Sequence, residues 1–266
     1  MTSEFIVSAA GKYLQGRPPG DAEVWTLNRP HVRNALNPFL VETLRSSLEA
    51  AEKSGVRVVV LRGNGPSFCA GADLRYLQSY DASAGETPRD FLRSIWDLTI
   101  AMERSPVVFV AALHGHAVAG GLELALACDV VLAEEGTLIG DGHVGRNLLA
   151  GGGASARLER SLGRNTALWL ALTGTLLRAG DPALAGWLRC TTPAGRLDST
   201  TEDIVAQLVS VPAPAQRAYK SVLNEQVPRP SEAERDRELD AFDRHWVEQN
   251  VPENLRLFLS QNRKAS

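Results

Sequence analysis

Hydrophobic positions first organise at Glu23 to Leu27, a run predicted as a short strand. Arg29-Pro30 ends it, because proline has no N–H to give to a ladder. Asn37-Pro38 predicts a helix start: asparagine accepts from free N–H groups, proline suits the first helical position, and Leu40, Val41, Leu44 and Leu48 form one stripe until Gly55. Val56 to Leu61 is a β-branched run between Gly55 and Gly63, the pattern of a strand covered on both faces. Asp90 to Met102 predicts a second helix, with Phe91, Ile95, Leu98 and Met102 on one side. Pro106 breaks it, and Val107 to Leu113 predicts a second buried strand. After the Gly120-Gly121 turn, Leu122 to Cys128 predicts a short apolar helix and Val130 to Ala133 a third strand.

Strand, small-residue turn and helix thus recur at 56–78 and 107–127, a weak repeat that predicts stacked β-β-α units of a spiral. Arg157 to Leu172 predicts a helix interrupted by Gly163. From Pro214 onward only helices are expected. Ser231 and Glu234 form a capping box, Leu239, Phe242 and Trp246 continue an apolar stripe, and Pro252 starts a last segment that runs from Glu253 to Leu259 and ends in Arg263-Lys264. The expected architecture is α/β, with a core over residues 1–200 and a helical region over 201–266. That region either covers a site in the core or packs on a neighbouring subunit.

Composition narrows the classes. A chain of 266 residues with 44% hydrophobic content supports a sizeable core. Its 28 Lys and Arg against 31 Asp and Glu give a net charge of −3 and no electrostatic case for nucleic acid or a membrane surface. Cys69, Cys128 and Cys190 are odd in number, with no CxxC pair and no histidine at zinc-ligand spacing, so reduced thiols and no metal are expected. Met1-Thr-Ser-Glu-Phe-Ile-Val has neither a basic n-region nor a long apolar run, and a cytoplasmic location is expected.

Two turns carry the candidate chemistry: Ser67-Phe-Cys-Ala-Gly-Ala-Asp73 and His114-Gly-His-Ala-Val-Ala-Gly-Gly-Leu-Glu123. Each puts small residues where a strand run ends and leaves backbone N–H groups open. Together they make one oxyanion hole, or they are tight packing turns, which glycine serves equally. A preorganised N–H aimed at a developing oxyanion is worth about 3 kcal/mol in comparable sites. Glu123 falls in the first turn of an apolar helix. It is either a surface charge at a helix terminus or an acid–base group whose pKa partial burial raises.

Leu27-Asn-Arg-Pro30, Arg33-Asn-Ala-Leu-Asn37, Phe68-Cys-Ala-Gly-Ala-Asp-Leu74, Ala119-Gly-Gly-Leu-Glu123, Cys128-Asp129 and Leu172-Thr-Gly174 occur in the order and at the spacing of a known family. In these motifs the chain resembles the crotonase (enoyl-CoA hydratase/isomerase) superfamily, over nearly its whole length. The resemblance implies a crotonase-like spiral of β-β-α turns with a helical C-terminal region, and assembly as a homotrimer or dimer of trimers. It implies an acyl-CoA thioester substrate, with coenzyme A as part of the substrate and no permanently bound cofactor. The oxyanion donors map to the N–H groups of Ala72 and Gly120, and the catalytic glutamate to Glu123. Contacts to coenzyme A are implied for Arg33, Ala70, Asp73, Leu74 and Arg75, and at the C-terminus for Arg263 and Lys264. For Arg75 an exposed helix arginine is the alternative, and for the terminal pair a solvated tail.

The departures concern the reaction. Hydratases of the family carry a second glutamate twenty residues after the first, where this chain has His143. Histidine can serve as that acid or base near neutrality, or it is a solvent-facing loop residue. Members that cleave C–C bonds of β-diketones carry histidine here with an aspartate nine residues on; this chain has Gly152 there. Asp141 either orients the His143 ring or caps a turn. Ala150 stands where a proline is common before the run Gly151-Gly-Gly-Ala154, which is no phosphate loop because GxxxxGK[ST] is missing. His114 and His116 are expected to be structural. The leading reading is an enoyl-CoA hydratase or isomerase. Its rivals are a hydrolase of a C–C bond or thioester using His143, and a coenzyme A-binding protein with impaired catalysis. Walls of the acyl pocket are expected from Tyr76 to Arg89 and from the C-terminal helices.

Overall fold

Asn37 and Gly55 bound the first helix as expected. In the computed structural model, which describes residues 3–9, 21–226 and 230–263, the Asn37 side chain accepts the Leu40 N–H and Gly55 closes α1 (Pro38–Ser54) in the left-handed conformation. The helix buries Leu40, Val41, Leu44 and Leu48 and packs against α3 (Arg89–Arg104).

Among the described residues the main sheet has six strands in the order β1-β2-β3-β4-β6-β9. They are β1 (Phe5–Ala9), β2 (Ala22–Leu27), β3 (Val58–Gly63), β4 (Val108–Leu113), β6 (Val130–Glu134) and β9 (Cys190–Thr192). Among the described residues of this sheet only the β1–β2 pair is antiparallel. Alternation splits the strands between two apolar layers: Val59, Leu61, Phe109 and Ala111 face the main core, while Val58, Val60, Val108 and Val110 face α7 (Leu197–Ser210) through Val205 and Val209. A second sheet, β5-β7-β8, is built from β5 (His116–Val118), β7 (Leu138–Gly140) and β8 (Leu177–Arg178). A single bridge from Cys69 to Ala117 ties the first small-residue turn to this layer. Successive units therefore stack β3 on β4 and Cys69 on β5, which is the expected spiral.

Local differences have local causes. β3 starts at Val58 rather than Val56, because the Val56 N–H is spent on Ala51 at the end of α1 and the Arg57 N–H on Asp21. The short helix α4 (Gly120–Leu126) starts at Gly120, so the two glycines form its first turn instead of preceding it. Helices alone follow from Leu197, not Pro214, and the division at residues 200 and 201 falls inside α7. Beyond it lie α8 (Ala213–Gln226), α9 (Glu232–Glu248) and α10 (Val251–Arg263). The capping box of Ser231 and Glu234 is formed, and α9 buries Leu239, Phe242 and Trp246. α9 packs on α3 and on α5 (Ala154–Leu162), and α10 packs on α9 and on α2 (Leu74–Leu77). This helical region thus covers the core of its own chain. Among the described residues no helix is long and apolar enough to cross a membrane.

One buried side chain joins three segments of the first spiral turn. Asn34 donates through Nδ2 to the carbonyls of Asn64 (2.9 Å) and Ser67 (2.7 Å), and its Oδ1 accepts the Arg29 N–H at 2.8 Å. Replacing it strands a buried donor and two carbonyls. Asn34→Ala is expected to lose about 2–4 kcal/mol of unfolding free energy, measured by denaturant titration.

Candidate active site

The first small-residue turn runs beside residues 33–36 as an improvised pair of strands. Leu36 N–H donates to Gly71 O and Asp73 N–H to Leu36 O, each at 2.8 Å, and Ala70 N–H to Arg33 O at 3.0 Å. Ala72 lies between the bonded amides, and its N–H has no hydrogen-bond partner among the described residues. Gly71 has φ of 96°, and a Cβ there would come within 2.8 Å of Ala119 Cβ and 3.1 Å of Gly120 N. Only glycine fits where the two turns meet.

The second turn is strained at Ala119, with φ 52° and ψ −122°, a conformation rare for a residue with a side chain. Its N–H is anchored on Gly140 O and its carbonyl accepts the Glu123 N–H. The twist starts α4 at Gly120, whose N–H likewise lacks a partner among the described residues. A Cβ on Gly120 would sit 3.4 Å from Ala72 N, so the two unpartnered amides belong to adjoining backbone. Both residues line one cavity of about 520 Å³, together with Glu123, His143, His116, Leu92, Ile95, Phe242 and Phe258.

Glu123 is a buried carboxylate, only 2% exposed. Its Oε1 accepts the N–H groups of Gly152 (2.9 Å) and Ala154 (3.1 Å) at the start of α5. Burial pushes its pKa up to about 7; the charge of His143 opposes the rise, while Glu238 and Asp141 add to it. Asp141 meets the ring: its Oδ1 lies 3.0 Å from His143 Nδ1, and Asp141 is itself buried. Burial alone would lower the His143 pKa. The charge and hydrogen bond of Asp141, then Glu123 and Glu238, outweigh it and raise the value to about 9. His143 is therefore half-buried and paired, not a solvent-facing loop residue. Gly152, nine residues on, has no room for an aspartate, because a Cβ there would run into the Glu123 carboxylate and Ile95.

Of the other expected residues, Arg33, Ala70 and Leu74 line the cavity. Asp73 does not: its carboxylate pairs with Arg29 at 2.9 Å and caps α2 by accepting the Arg75 N–H at 3.0 Å. The buried Arg29 guanidinium beneath it holds the carboxylate in that position. Arg75 is exposed and is not among the residues that line the cavity. The side chain of Arg263 and all of Lys264 lie outside the described residues. Of the segment from Tyr76 to Arg89 only Leu77 reaches the cavity wall, and the expected walls from the C-terminal helices are Phe242 of α9 and Phe258 of α10. Sequence reasoning missed Arg146, which lines the cavity with its guanidinium 4.3 Å above the Phe258 ring. His114 hydrogen-bonds to Gly65 O (2.9 Å), just ahead of the first turn, and His116 to Ser67 Oγ (3.1 Å) at its start. Among the described residues no group of three or more His, Cys, Asp or Glu side chains is arranged to hold a metal ion.

Comparison with known proteins agrees with this fold. The family model for enoyl-CoA hydratase/isomerase matches residues 22–265. A probable enoyl-CoA hydratase of Rhizobium meliloti is 34% identical over 200 residues, 75% of this chain and 76% of that protein. The 2,3-dehydroadipyl-CoA hydratase of Escherichia coli is 36% identical over 185 residues, 69% of this chain and 67% of its own. Among solved structures, an enoyl-CoA hydratase/isomerase from Mycobacterium paratuberculosis superposes with a TM-score of 0.82 at 26% identity, covering 96% of this chain and 98% of that one. The chain belongs to the enoyl-CoA hydratase/isomerase family and is an enzyme of that class.

The charge cluster makes stability depend on pH in a definite direction. His143, raised from 6.5 to about 9, binds its proton more tightly folded than unfolded, so its contribution is complete below about 6.5 and lost as pH rises through about 9. Glu123, raised from 4.5 to about 7, also holds its proton more tightly in the fold, and its ionisation erodes stability with rising pH. Denaturant midpoints measured from pH 7 to about 9 should fall, and His143→Gln should flatten that slope.

Proposed function

We propose that this protein hydrates or isomerises an enoyl-CoA thioester whose carbonyl is polarised by the N–H groups of Ala72 and Gly120. One observation carries the reading: two unpartnered amides of adjoining turns, a buried glutamate of raised pKa and a carboxylate-oriented histidine line a single cavity. In hydration, Glu123 takes a proton from water as its oxygen bonds to the β-carbon. The electron pair of the double bond moves toward the carbonyl, and negative charge gathers on the thioester oxygen. Two preorganised N–H donors stabilise that oxygen, and the N-terminal end of α4 adds a favourable dipole. His143, protonated near neutrality, then delivers a proton to the α-carbon. Isomerisation uses the same enolate, with one group removing and the other returning a proton.

Arg33, Ala70 and Leu74 are proposed to meet the coenzyme A portion at the cavity mouth. The reaction as written needs no resident cofactor. Residues 201–266 act as the cover of the site and supply trimer contacts, giving a homotrimer or dimer of trimers in the cytoplasm.

The His143–Asp141 pair favours a second reading. An aspartate-oriented histidine can activate water against a carbonyl, cleaving a β-dicarbonyl compound or a thioester. A panel of enoyl-CoA esters and β-diketones separates the two. Hydroxyacyl-CoA formation supports the hydratase, whereas free coenzyme A or a cleaved acid without it overturns that reading. With the active substrate, Glu123→Gln and His143→Ala should each lower kcat by about a hundred- to ten-thousand-fold, measured by steady-state kinetics. Unchanged turnover in both would remove the proposed pair.

A further inference from the structure

A second buried glutamate lies behind the pair and takes no part in the reaction as written. Glu238 of α9 is 8% exposed and sits one helical turn before Phe242 on the core-facing stripe. Its Oε1 accepts the Gly153 N–H at 2.8 Å, and its Oε2 accepts the Ser155 N–H at 2.9 Å and the Ser155 hydroxyl. Glu123 takes the alternate amides, Gly152 and Ala154. Four successive N–H groups at the start of α5 are thus divided between a carboxylate of α4 and one of α9. Gly153, at the N-cap of α5, has no side chain to do this itself. Glu238 is absent from the lining of the substrate cavity but lines a second cavity of about 550 Å³, whose wall also includes His143, Asp141, Ser155 and Arg237.

We propose that Glu238 is a positioning residue that clamps residues 152–155 from the side opposite Glu123 and, with Glu123 and Asp141, forms a three-carboxylate shell that keeps His143 an imidazolium. The proposal rests on the reading of Glu123 and His143 given above. It deepens that reading by assigning the C-terminal helical region a task in setting proton affinity. Burial raises the pKa of Glu238, while the Ser155 and loop donors and the charge of His143 pull it down.

Most of the surrounding charges are paired with one another, which leaves His143 and Arg237 as the cations beside Glu238 on the second cavity, with Arg33 and Arg146 on the wall of the first. On α9 itself, Glu234 pairs with Arg160 of α5 at 2.7 Å, and Arg237 lines the second cavity. From α3, Arg89 is held by Asp240 and Asp243, and Asp97 faces Arg235 at 3.3 Å. Arg157 of α5 is taken by Glu103, and on α10 Glu253 pairs with Arg256. Asp81, beside the turn that α9 also packs against, is tied to Ser83.

The test reads the ring and not turnover. The intact protein is labelled with 13C at the histidine Cε1 positions, His143 is assigned through His143→Gln, and its titration is followed in wild type and Glu238→Gln. The expected result is a His143 midpoint lowered by about one pH unit or more in Glu238→Gln. An unchanged midpoint in the folded variant overturns the proposal, since a purely structural clamp would not hold the proton. The wild-type protein gives a second measurement that needs no variant to fold. With 13Cδ-labelled glutamate, the Glu238 resonance must show a step at the His143 midpoint, and a titration curve without that step also overturns it. If His143→Gln abolishes turnover while the Glu238→Gln midpoint stays put, the proposal alone fails. If turnover ignores His143 while the midpoint falls, the acid–base reading fails and the electrostatic shell stands.

Discussion

Glu123 is a carboxylate buried in an apolar helix, and the site is built around making that burial tolerable. An isolated buried carboxylate is costly enough that it would simply stay protonated. Two amides from the start of α5 and the charge of His143 offset the cost in part, and the pKa stops at about 7, the range that suits the proposed acid–base role. Each neighbouring feature follows from this. Gly152 stays small because the carboxylate occupies the space of its side chain. Asp141 pairs with His143 and raises its proton affinity, and α9 closes the loop from behind.

The same helix serves both halves of the proposed chemistry. α4 begins at Gly120 because Ala119 accepts an unfavourable backbone conformation, and that start both frees the Gly120 amide and sets Glu123 one turn further on. The amide and the carboxylate are therefore fixed relative to each other by helical geometry. The Ala72 amide is fixed by the strand-like pairing of residues 70–73 with 33–36, and Gly71 lets the two turns touch. A rigid scaffold of this sort stabilises developing charge without having to reorganise during the reaction.

Much of this was legible locally. Asn37 and Gly55 announce α1, the valine runs announce β3 and β4, and the Ser231–Glu234 box announces α9, because each signal is contained within a few residues. The ordered small-residue turns and Glu123 were legible for the same reason. What escaped depends on partners far along the chain. β5, β7 and β8 are two or three residues long and exist only through their pairing. α7 carries Leu197, Thr201, Val205 and Val209 at a helical spacing, but polar residues between them mask the stripe. The Asp73 carboxylate is held by Arg29, 44 residues away. Glu238 is linked to a loop 85 residues earlier. Its one local sign was a carboxylate on the same four-residue spacing as Phe242 and Trp246.

The central claim is that a thioester carbonyl docks on the Ala72 and Gly120 amides between Glu123 and His143. A crystal structure of the protein with acetoacetyl-CoA, whose thioester enolises without being hydrated, tests this most directly. The account predicts the thioester oxygen about 2.7–3.1 Å from both amide nitrogens, with the acyl carbons between the two side chains. A carbonyl bound away from those amides, with either side chain turned from the acyl group, would contradict it.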